Sequence, residues 1–491
     1  MSLYKSLFKQ TAIYGLAMVL PRMLSFFLVK LYTNVLPDAA DYGDLTIVMA
    51  YMVFLNVVLS YGFETGFFRF YNSEPDKQKV VSTTTVSIFI SSILFFAIAY
   101  ILKTNIANYT NVPENFIEYA LWILLFDALV VIPFSKLRAE QKATKFAVIK
   151  IGNVAVNLLL NLFFLVLLPH LAAQYPTSIF NSIFIPNFEI AYILIANLIA
   201  SLITLFILLP DYFKINWKID IVLWEKLMRY GWPILIAGIA FAVNEHLDKI
   251  LLSELLPIDI AKSEVGAYSA CYKLGLFMVL FRTAYSLGIE PFFFSHAKNE
   301  NAPQTYATIT KYFVIFGSFI ALTVIVFADV LKRLLLDNES YWVAMKVVPL
   351  IVFANFFLGI YTNLSVWYKL TDKTIYGAYI SVVGAIITLV LNFILIKKFS
   401  YLGSAIATIC AYGAMLILSY FLGRKRYPIP YDTARIFAYL GLSILFSILA
   451  FYIDDVRQNF YIKSVLILLF LGVIYVGEKK TLQKILERKN N

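Results

Sequence analysis

Gly62-Phe63-Glu64-Thr65-Gly66-Phe67-Phe68 returns 226 residues later as Gly288-Ile289-Glu290-Pro291-Phe292-Phe293-Phe294, a Gly-x-Glu-x-x-Phe-Phe pattern in both places. The first copy follows the apolar run Asp44–Gly62 and the second follows the apolar run Gly266–Leu287. Two further landmarks recur in the same order: Tyr14-Gly15 with Tyr230-Gly231, and Leu36-Pro37 with Leu256-Pro257. Three ordered matches predict a chain built from two similar halves. Six apolar runs separate equivalent points, and six is even. The halves are therefore expected to cross a membrane in the same direction, related by an axis along its normal, with a site between them near the midplane.

The apolar runs themselves are Thr11–Leu31, Asp44–Gly62, Val80–Leu102, Phe116–Phe134, Phe146–Leu168, Ile190–Leu209, Trp232–Leu252, Gly266–Leu287, Tyr312–Leu334, Val343–Trp367, Ile375–Ile396, Leu402–Leu422, Ile436–Ile453 and Phe460–Gly477. Each is close to the roughly 20 residues a spanning helix needs. Of the 491 residues, 61% are hydrophobic and 14% charged, against about 45–50% and about 25% in soluble domains. The fold class read from this is an all-α polytopic membrane protein with 14 transmembrane helices, two parallel six-helix repeats plus two C-terminal helices. The expected boundaries are 1–210 and 232–422 for the halves, 211–231 for an interfacial linker helix and 423–491 for the added pair with a basic tail. Ile221, Trp224, Leu227 and Met228 on one helical face of the linker, with Glu225, Lys226 and Arg229 on another, suggest the interfacial placement.

The net charge of +11 would hint at nucleic acid in a soluble protein. Here its distribution gives another meaning. With the N-terminus inside, 26 of the 41 Lys and Arg fall in inside segments and 8 in outside ones. Lys and Arg collect in cytoplasmic loops, so both termini are expected in the cytoplasm, with no nucleic-acid partner. No small-residue cleavage site follows MSLYKSLFKQ, so no removable signal peptide is expected. Cys271 and Cys410 lie in apolar runs and suggest no disulfide framework. No Gly-x4-Gly-Lys-Ser/Thr loop is present, so no P-loop nucleotide chemistry is expected. The longest outside loop, Pro169–Glu189, carries no Lys or Arg, which argues against a membrane enzyme built on an outer loop.

Charges within spans are costly and usually face a cavity or a partner. Arg22 lies in the first span beside Pro21, and Asp127 in the fourth. Glu245, Asp248 and Lys249 share one face of the seventh, and Lys273 and Arg282 lie in the eighth. Glu245 and Lys249, four apart, are read either as an internal ion pair or as part of a cavity wall. Arg22, Lys249, Lys273 and Arg282 suit an anionic headgroup, whereas Asp127, Glu245 and Asp248 are candidates for ion coupling or internal salt bridges. Lys30, Lys150 and Lys346 stand near span ends and are expected to snorkel to the headgroups. Asn153, Asn157 and Asn161 recur every four residues, which fits either interhelical hydrogen bonds or contacts to sugar hydroxyls. Glu64 and Glu290 are read as repeat-related gate residues. His246 has no second histidine or cysteine near it, so no metal site is expected.

Met228-Arg229-Tyr230-Gly231-Trp232-Pro233-Ile234-Leu235-Ile236 resembles the Arg-Tyr-Gly-Leu-Pro segment that opens the second half of bacterial polysaccharide flippases. Asp248-Lys249 is similar to the Asp-Arg pair of their seventh helix, with Lys keeping the charge and losing the fork. Gly266-Ala267-Tyr268-Ser269-Ala270-Cys271-Tyr272-Lys273 matches their Gly-x-Tyr-Ser-x-x-Tyr-Lys motif, and Tyr14-Gly15, Pro21-Arg22 and Asp41-Tyr42-Gly43 also look like this group. The resemblance implies the multidrug/oligosaccharidyl-lipid/polysaccharide exporter superfamily. It further implies alternating-access translocation of an undecaprenyl-diphosphate-linked oligosaccharide across a bacterial inner membrane for surface polysaccharide or lipopolysaccharide. No cofactor is implied beyond coupling to Na+, H+ or the membrane potential. Expected partners are the lipid-linked oligosaccharide, membrane lipids and polysaccharide assembly proteins, and the chain is expected to act as a monomer. Two alternatives stay open: a cation-coupled multidrug exporter of the same superfamily, and a lipid II flippase, whose branch shares the count of fourteen spans.

Overall fold

The computed structural model describes residues 3–296, 300–371 and 373–489. It is helical throughout, with no strand among the described residues. The first twelve helices are α1 (Leu3–Val35), α2 (Ala39–Ser60), α3 (Phe63–Ser73), α4 (Lys77–Ile101), α5 (Lys103–Thr110), α6 (Glu114–Ala139), α7 (Ala143–Leu162), α8 (Leu168–Gln174), α9 (Ile179–Ile183), α10 (Glu189–Leu208), α11 (Ile221–Leu255) and α12 (Ile258–Tyr272). Nine more follow: α13 (Leu276–His296), α14 (Ala302–Val326), α15 (Ala328–Leu335), α16 (Val348–Leu364), α17 (Val366–Leu370), α18 (Ile375–Arg426), α19 (Thr433–Tyr452), α20 (Asp454–Gln458) and α21 (Phe460–Lys489).

Among the described residues, twelve helical segments are long and apolar enough to cross a membrane. They cover every apolar run of the sequence except Trp232–Leu252, whose 35-residue helix α11 carries Glu245, Asp248 and Lys249. One segment covers two runs: α18 is 52 residues long and leaves helical geometry at Ser400, φ 49°, where two helices meet end to end. Large apolar side chains stand exposed along these helices, Phe206 at 61% and Leu468 at 66%. In water such faces would aggregate; in hydrocarbon they are solvated, and the helical backbone satisfies its own polar groups. The chain is a multi-pass membrane protein.

Two compact units divide the chain. The first holds residues 1–270 with 338–341 and 388–404. Within it α6 packs against α2, α4 and α10, α7 against α1 and α10, and α11 against α2 and α3. Carboxylate caps start three of its helices: Asp38 accepts from the Ala40 and Asp41 amides, Asp76 from Lys79, and Asp220 from Leu223. Between α2 and α3 the chain turns at Tyr61 (φ 30°) and Gly62 (φ 76°), and a Cβ at Gly62 would press on the backbone of Gly231. That close approach explains the glycine of the first copy of the motif; at Gly288, in the second, a Cβ would meet nothing within 4 Å.

The expected linker helix over 211–231 is α-helical only from Ile221 onward. A short 3-10 turn, Leu209–Lys214, is followed by an irregular stretch, and α11 runs unbroken from Ile221 through Pro233 into the membrane. The reason lies in α4, whose buried Ser82 and Thr83 hydroxyls accept from the Asn216 and Asp220 amides, while Ser87 accepts from the Trp224 indole. These bonds hold the chain down until Asp220 caps the new helix. Lys79 adds an ion pair to Asp220 at 2.7 Å.

The second unit holds residues 271–337, 342–387 and 405–491. Helix α14 is its centre, in contact with α13, α16, α19 and α21. Ion pairs join α19–α21 to this core. Buried Glu478 meets Lys311 at 2.6 Å and Arg435 at 3.2 Å and accepts from the Tyr439 hydroxyl. Arg457 grips Asp329 with Nε and Nη2 at 2.8 and 2.7 Å, and Lys332 lies 3.1 Å from the same carboxylate. Burial alone would raise the Asp329 carboxyl, but Arg457 and Lys332 outweigh it and hold it down at about 2. The folded value lies below the ordinary 3.8, so this pair's contribution is present above pH 3.8 and is lost as pH falls toward 2. Thermal unfolding in detergent at pH 7 and pH 3 should therefore show a smaller acid-induced drop for Arg457→Ala than for the parent. An equal drop in both would exclude this pair as an acid-sensitive tie.

Candidate functional site

A polar pocket of about 450 Å³ lies within the first unit, among α2, α3, α6, α7 and α10. Helix α10 contributes Asn197, Ser201 and Thr204, spaced i, i+4 and i+7 and therefore on one face. From α7 come Lys150 and Asn153 at i and i+3, from α6 Asp127, and from α2 and α3 Asn56, Ser60 and Glu64. Val53, Val57, Val130, Val131 and Phe134 complete the wall.

Hydrogen bonds hold these polar groups in place. The Ser201 hydroxyl donates to Asp127 at 2.8 Å. The Asn153 amide donates to Thr204 Oγ1 at 3.0 Å, and the Thr204 hydroxyl donates in turn to the Ala200 carbonyl at 2.9 Å. The Lys150 ammonium lies over the Phe134 ring, 4.5 Å from its centre. Arg138 pairs with Glu64 at 2.6 Å and covers the Phe68 ring. One cation, two carboxylates, three amides and three hydroxyls thus share a cavity within apolar helices. Such a donor and acceptor set can hold a hydroxyl-rich headgroup and one anionic oxygen.

The structure gives the sequence candidates different places. Asp127, Asn153 and Glu64 belong to this pocket. Asn157 does not line it; its carbonyl and its side-chain oxygen both accept from Asn161 at 2.8 Å, so the asparagine stripe splits after Asn153. Lys150, read from the sequence as a headgroup anchor, also lines the pocket. Asn56, Asn197, Ser201 and Thr204 are functional candidates that the sequence reading does not single out. The i, i+4, i+7 polar stripe on α10, an otherwise apolar helix, is the signal that could have found three of them.

A second buried network occupies the same unit. Lys249 lies 2.8 and 3.0 Å from the two Asp248 oxygens, and the Tyr268 hydroxyl donates to Asp248 at 2.6 Å. Glu245 presents its backbone carbonyl to Lys249 at 3.4 Å. Asp248, the neighbour of Lys249, is thus one carboxylate that pairs with it. The Gly-x-Tyr of the eighth run acquires a physical reading: Tyr268 holds Asp248, and Gly266 lets α12 close on α2 at Ala39 and Gly43. Lys273 and Arg282 belong to the second unit. The side chains of Arg22 and Glu290 lie outside the described residues. No cluster of histidine, cysteine and carboxylates able to hold a metal occurs among the described residues.

Comparisons with known proteins agree on one group. The model of the family described as "Polysaccharide biosynthesis protein" matches residues 7–295, and that of the MatE family matches residues 233–394. The curated proteins contain no match. Among solved structures, the chain is similar to the lipid II flippase MurJ in an inward closed conformation, with a TM-score of 0.73, 14% identity, and coverage of 95% of this chain and 99% of that one. It is also similar to an inward-facing multidrug resistance MATE family transporter of the MOP superfamily (TM-score 0.63, 12% identity, 82% and 94% covered). A third neighbour is the MATE multidrug transporter DinF-BH (TM-score 0.62, 18% identity, 87% and 97% covered).

Proposed function

The chain belongs to the polysaccharide biosynthesis protein family of the multidrug/oligosaccharidyl-lipid/polysaccharide exporter superfamily, and from that premise we propose that it translocates an undecaprenyl-diphosphate-linked oligosaccharide across a bacterial inner membrane for surface polysaccharide assembly. The observation that carries this reading is the pocket of the first unit. A cationic drug would call for a cavity of carboxylates with aromatic walls. This one joins Lys150 to Asn56, Asn153, Asn197, Ser60, Ser201 and Thr204, groups suited to sugar hydroxyls and an anionic oxygen. Glu64 is engaged by Arg138, and Asp127 accepts from Ser201. Lys273 and Arg282 are further candidates for diphosphate contacts from the second unit. Asp127 is the candidate for coupling to Na+, H+ or the membrane potential.

The test is reconstitution of the full chain in proteoliposomes. A fluorescent polyisoprenyl-diphosphate oligosaccharide and a cationic dye are each followed across the bilayer. Protein-dependent movement of the lipid-linked sugar, with no uptake of dye, is the expected result. Dye transport without sugar-lipid movement would overturn the proposal in favour of a drug exporter.

A further inference from the structure

Outside the polar pocket, helices α7 and α10 frame a second cavity of about 570 Å³. Its wall is mostly β-branched: Val148, Ile149, Val156, Ile203 and Ile207, of which Val148, Ile203 and Ile207 are exposed. Gly152 interrupts this ridge, and a Cβ built there would meet nothing within 4 Å. The groove is thus open at Gly152, with no neighbouring atom in contact reach of an added methyl. Two of its residues, Asn153 and Thr204, also line the polar pocket, and their mutual hydrogen bond is the partition between the two spaces. With those polar groups spent on each other, the groove offers its occupant a nearly apolar surface.

The length and charge of the groove limit what it can hold. From Thr144 to Val156 helix α7 rises about 18 Å at about 1.5 Å per residue, slightly more than half of a hydrocarbon core of about 30 Å. The groove therefore matches one leaflet. Lys145 stands exposed at its end, the end that the charge bias places in the cytoplasm, and makes no ion pair with the described residues. An apolar channel one leaflet deep, closed at the membrane surface by a lysine, is complementary to a long branched hydrocarbon chain with a phosphate at its head.

We infer that this groove between α7 and α10 seats the isoprenoid tail of the lipid-linked substrate in the cytoplasmic leaflet, with the phosphate next to it on Lys145. This rests on the proposed translocation of a polyisoprenyl-diphosphate sugar and adds the place where its tail lies. The tail runs on the lipid side of the Asn153–Thr204 partition, and the pocket for the polar headgroup lies on the other.

The test uses the full chain in nanodiscs with two photoreactive probes, a polyisoprenyl diphosphate carrying a benzophenone in its tail and a phosphatidylglycerol carrying one in its acyl chain. The isoprenoid probe is expected to label residues 144–156 or 203–207, as mapped by mass spectrometry. Gly152→Phe, which places a ring in the open space of the groove, should cut that labelling about tenfold, and Lys145→Glu should cut it several-fold without adding bulk. Gly152→Ala, whose methyl enters open space, reports whether the helix tolerates substitution at all. Labelling elsewhere, labelling indifferent to both Gly152→Phe and Lys145→Glu, or equal labelling by the phosphatidylglycerol probe would overturn the inference. Translocation by the unmodified protein is measured in parallel. Sugar-lipid movement without groove labelling defeats this inference alone, whereas no movement at all defeats the function on which it rests.

Discussion

Lys150→Met is expected to slow translocation of the lipid-linked oligosaccharide by roughly 30- to 100-fold, while Lys150→Arg keeps most of the activity. Methionine preserves the length and apolar stem of the side chain but removes the ammonium that lies over Phe134. A hydrogen bond to a charged group contributes about 1.5–3 kcal/mol, and about 1.4 kcal/mol is tenfold in a rate or equilibrium constant. The loss should be large because the cation acts among apolar helices rather than in water, where the same interaction is weak. It should also be specific. Asp127→Asn keeps an oxygen to accept from Ser201, so its effect on headgroup binding should be smaller, and any larger effect on rate would mark the carboxylate's charge as part of coupling. The measurement is the initial rate in proteoliposomes at matched protein content, with headgroup affinity determined separately. Unchanged rate and affinity in Lys150→Met would show that the pocket's cation does not meet the substrate.

Lys150 also shows where sequence reasoning reaches its limit. The architecture is legible because hydrophobic run length is a local property: every run of the sequence falls on helix in the structure. The break at Ser400 lies between the runs ending at Ile396 and starting at Leu402. The site is only partly legible, because the pocket draws on five helices separated in sequence by up to about 150 residues. Asp127 and Asn153 can be found because each is anomalous by itself in an apolar run. Lys150 reads as a headgroup anchor because it stands near a span end, and nothing local reveals Phe134 beneath it or Asn197 and Ser201 nearby. Ser and Thr escape notice for another reason. In a transmembrane helix they commonly satisfy themselves on the preceding turn, as Thr204 does on Ala200, so their presence alone carries little information. The linker becomes helical only at Ile221 because the residues before it are tied to hydroxyls of α4 that only folding brings near.

Gly266→Ala is expected to prevent accumulation of folded protein, and Gly43→Ala to do nearly the same. A Cβ at Gly266 would overlap the Ala39 carbonyl and crowd the Gly43 amide, while a Cβ at Gly43 would overlap the backbone carbonyl of Lys262. The two glycines are reciprocal: each helix presents bare backbone where the other's backbone must pass, and backbone cannot rotate aside as a side chain can. Small residues at such crossings are the usual means by which membrane helices approach closely. Overpacking in a core typically costs about 1–3 kcal/mol where side chains can adjust. Here neither partner can, so the cost should exceed that range, a large fraction of a total stability of about 5–15 kcal/mol. Helix propensity argues in the opposite direction, since alanine is favoured over glycine by about 1 kcal/mol inside a helix. A loss at Gly266 therefore isolates the crossing as its cause. Gly441→Ala, at a position in α19 where a Cβ meets nothing within 4 Å, should retain or slightly raise the unfolding temperature under the same conditions. Size-exclusion profiles and thermal unfolding in detergent would separate the two. A folded Gly266→Ala with an unchanged unfolding temperature would mean that α2 and α12 do not approach at these glycines. In that case the Gly-x-Tyr motif would have to be explained by Tyr268 and its hold on Asp248 alone.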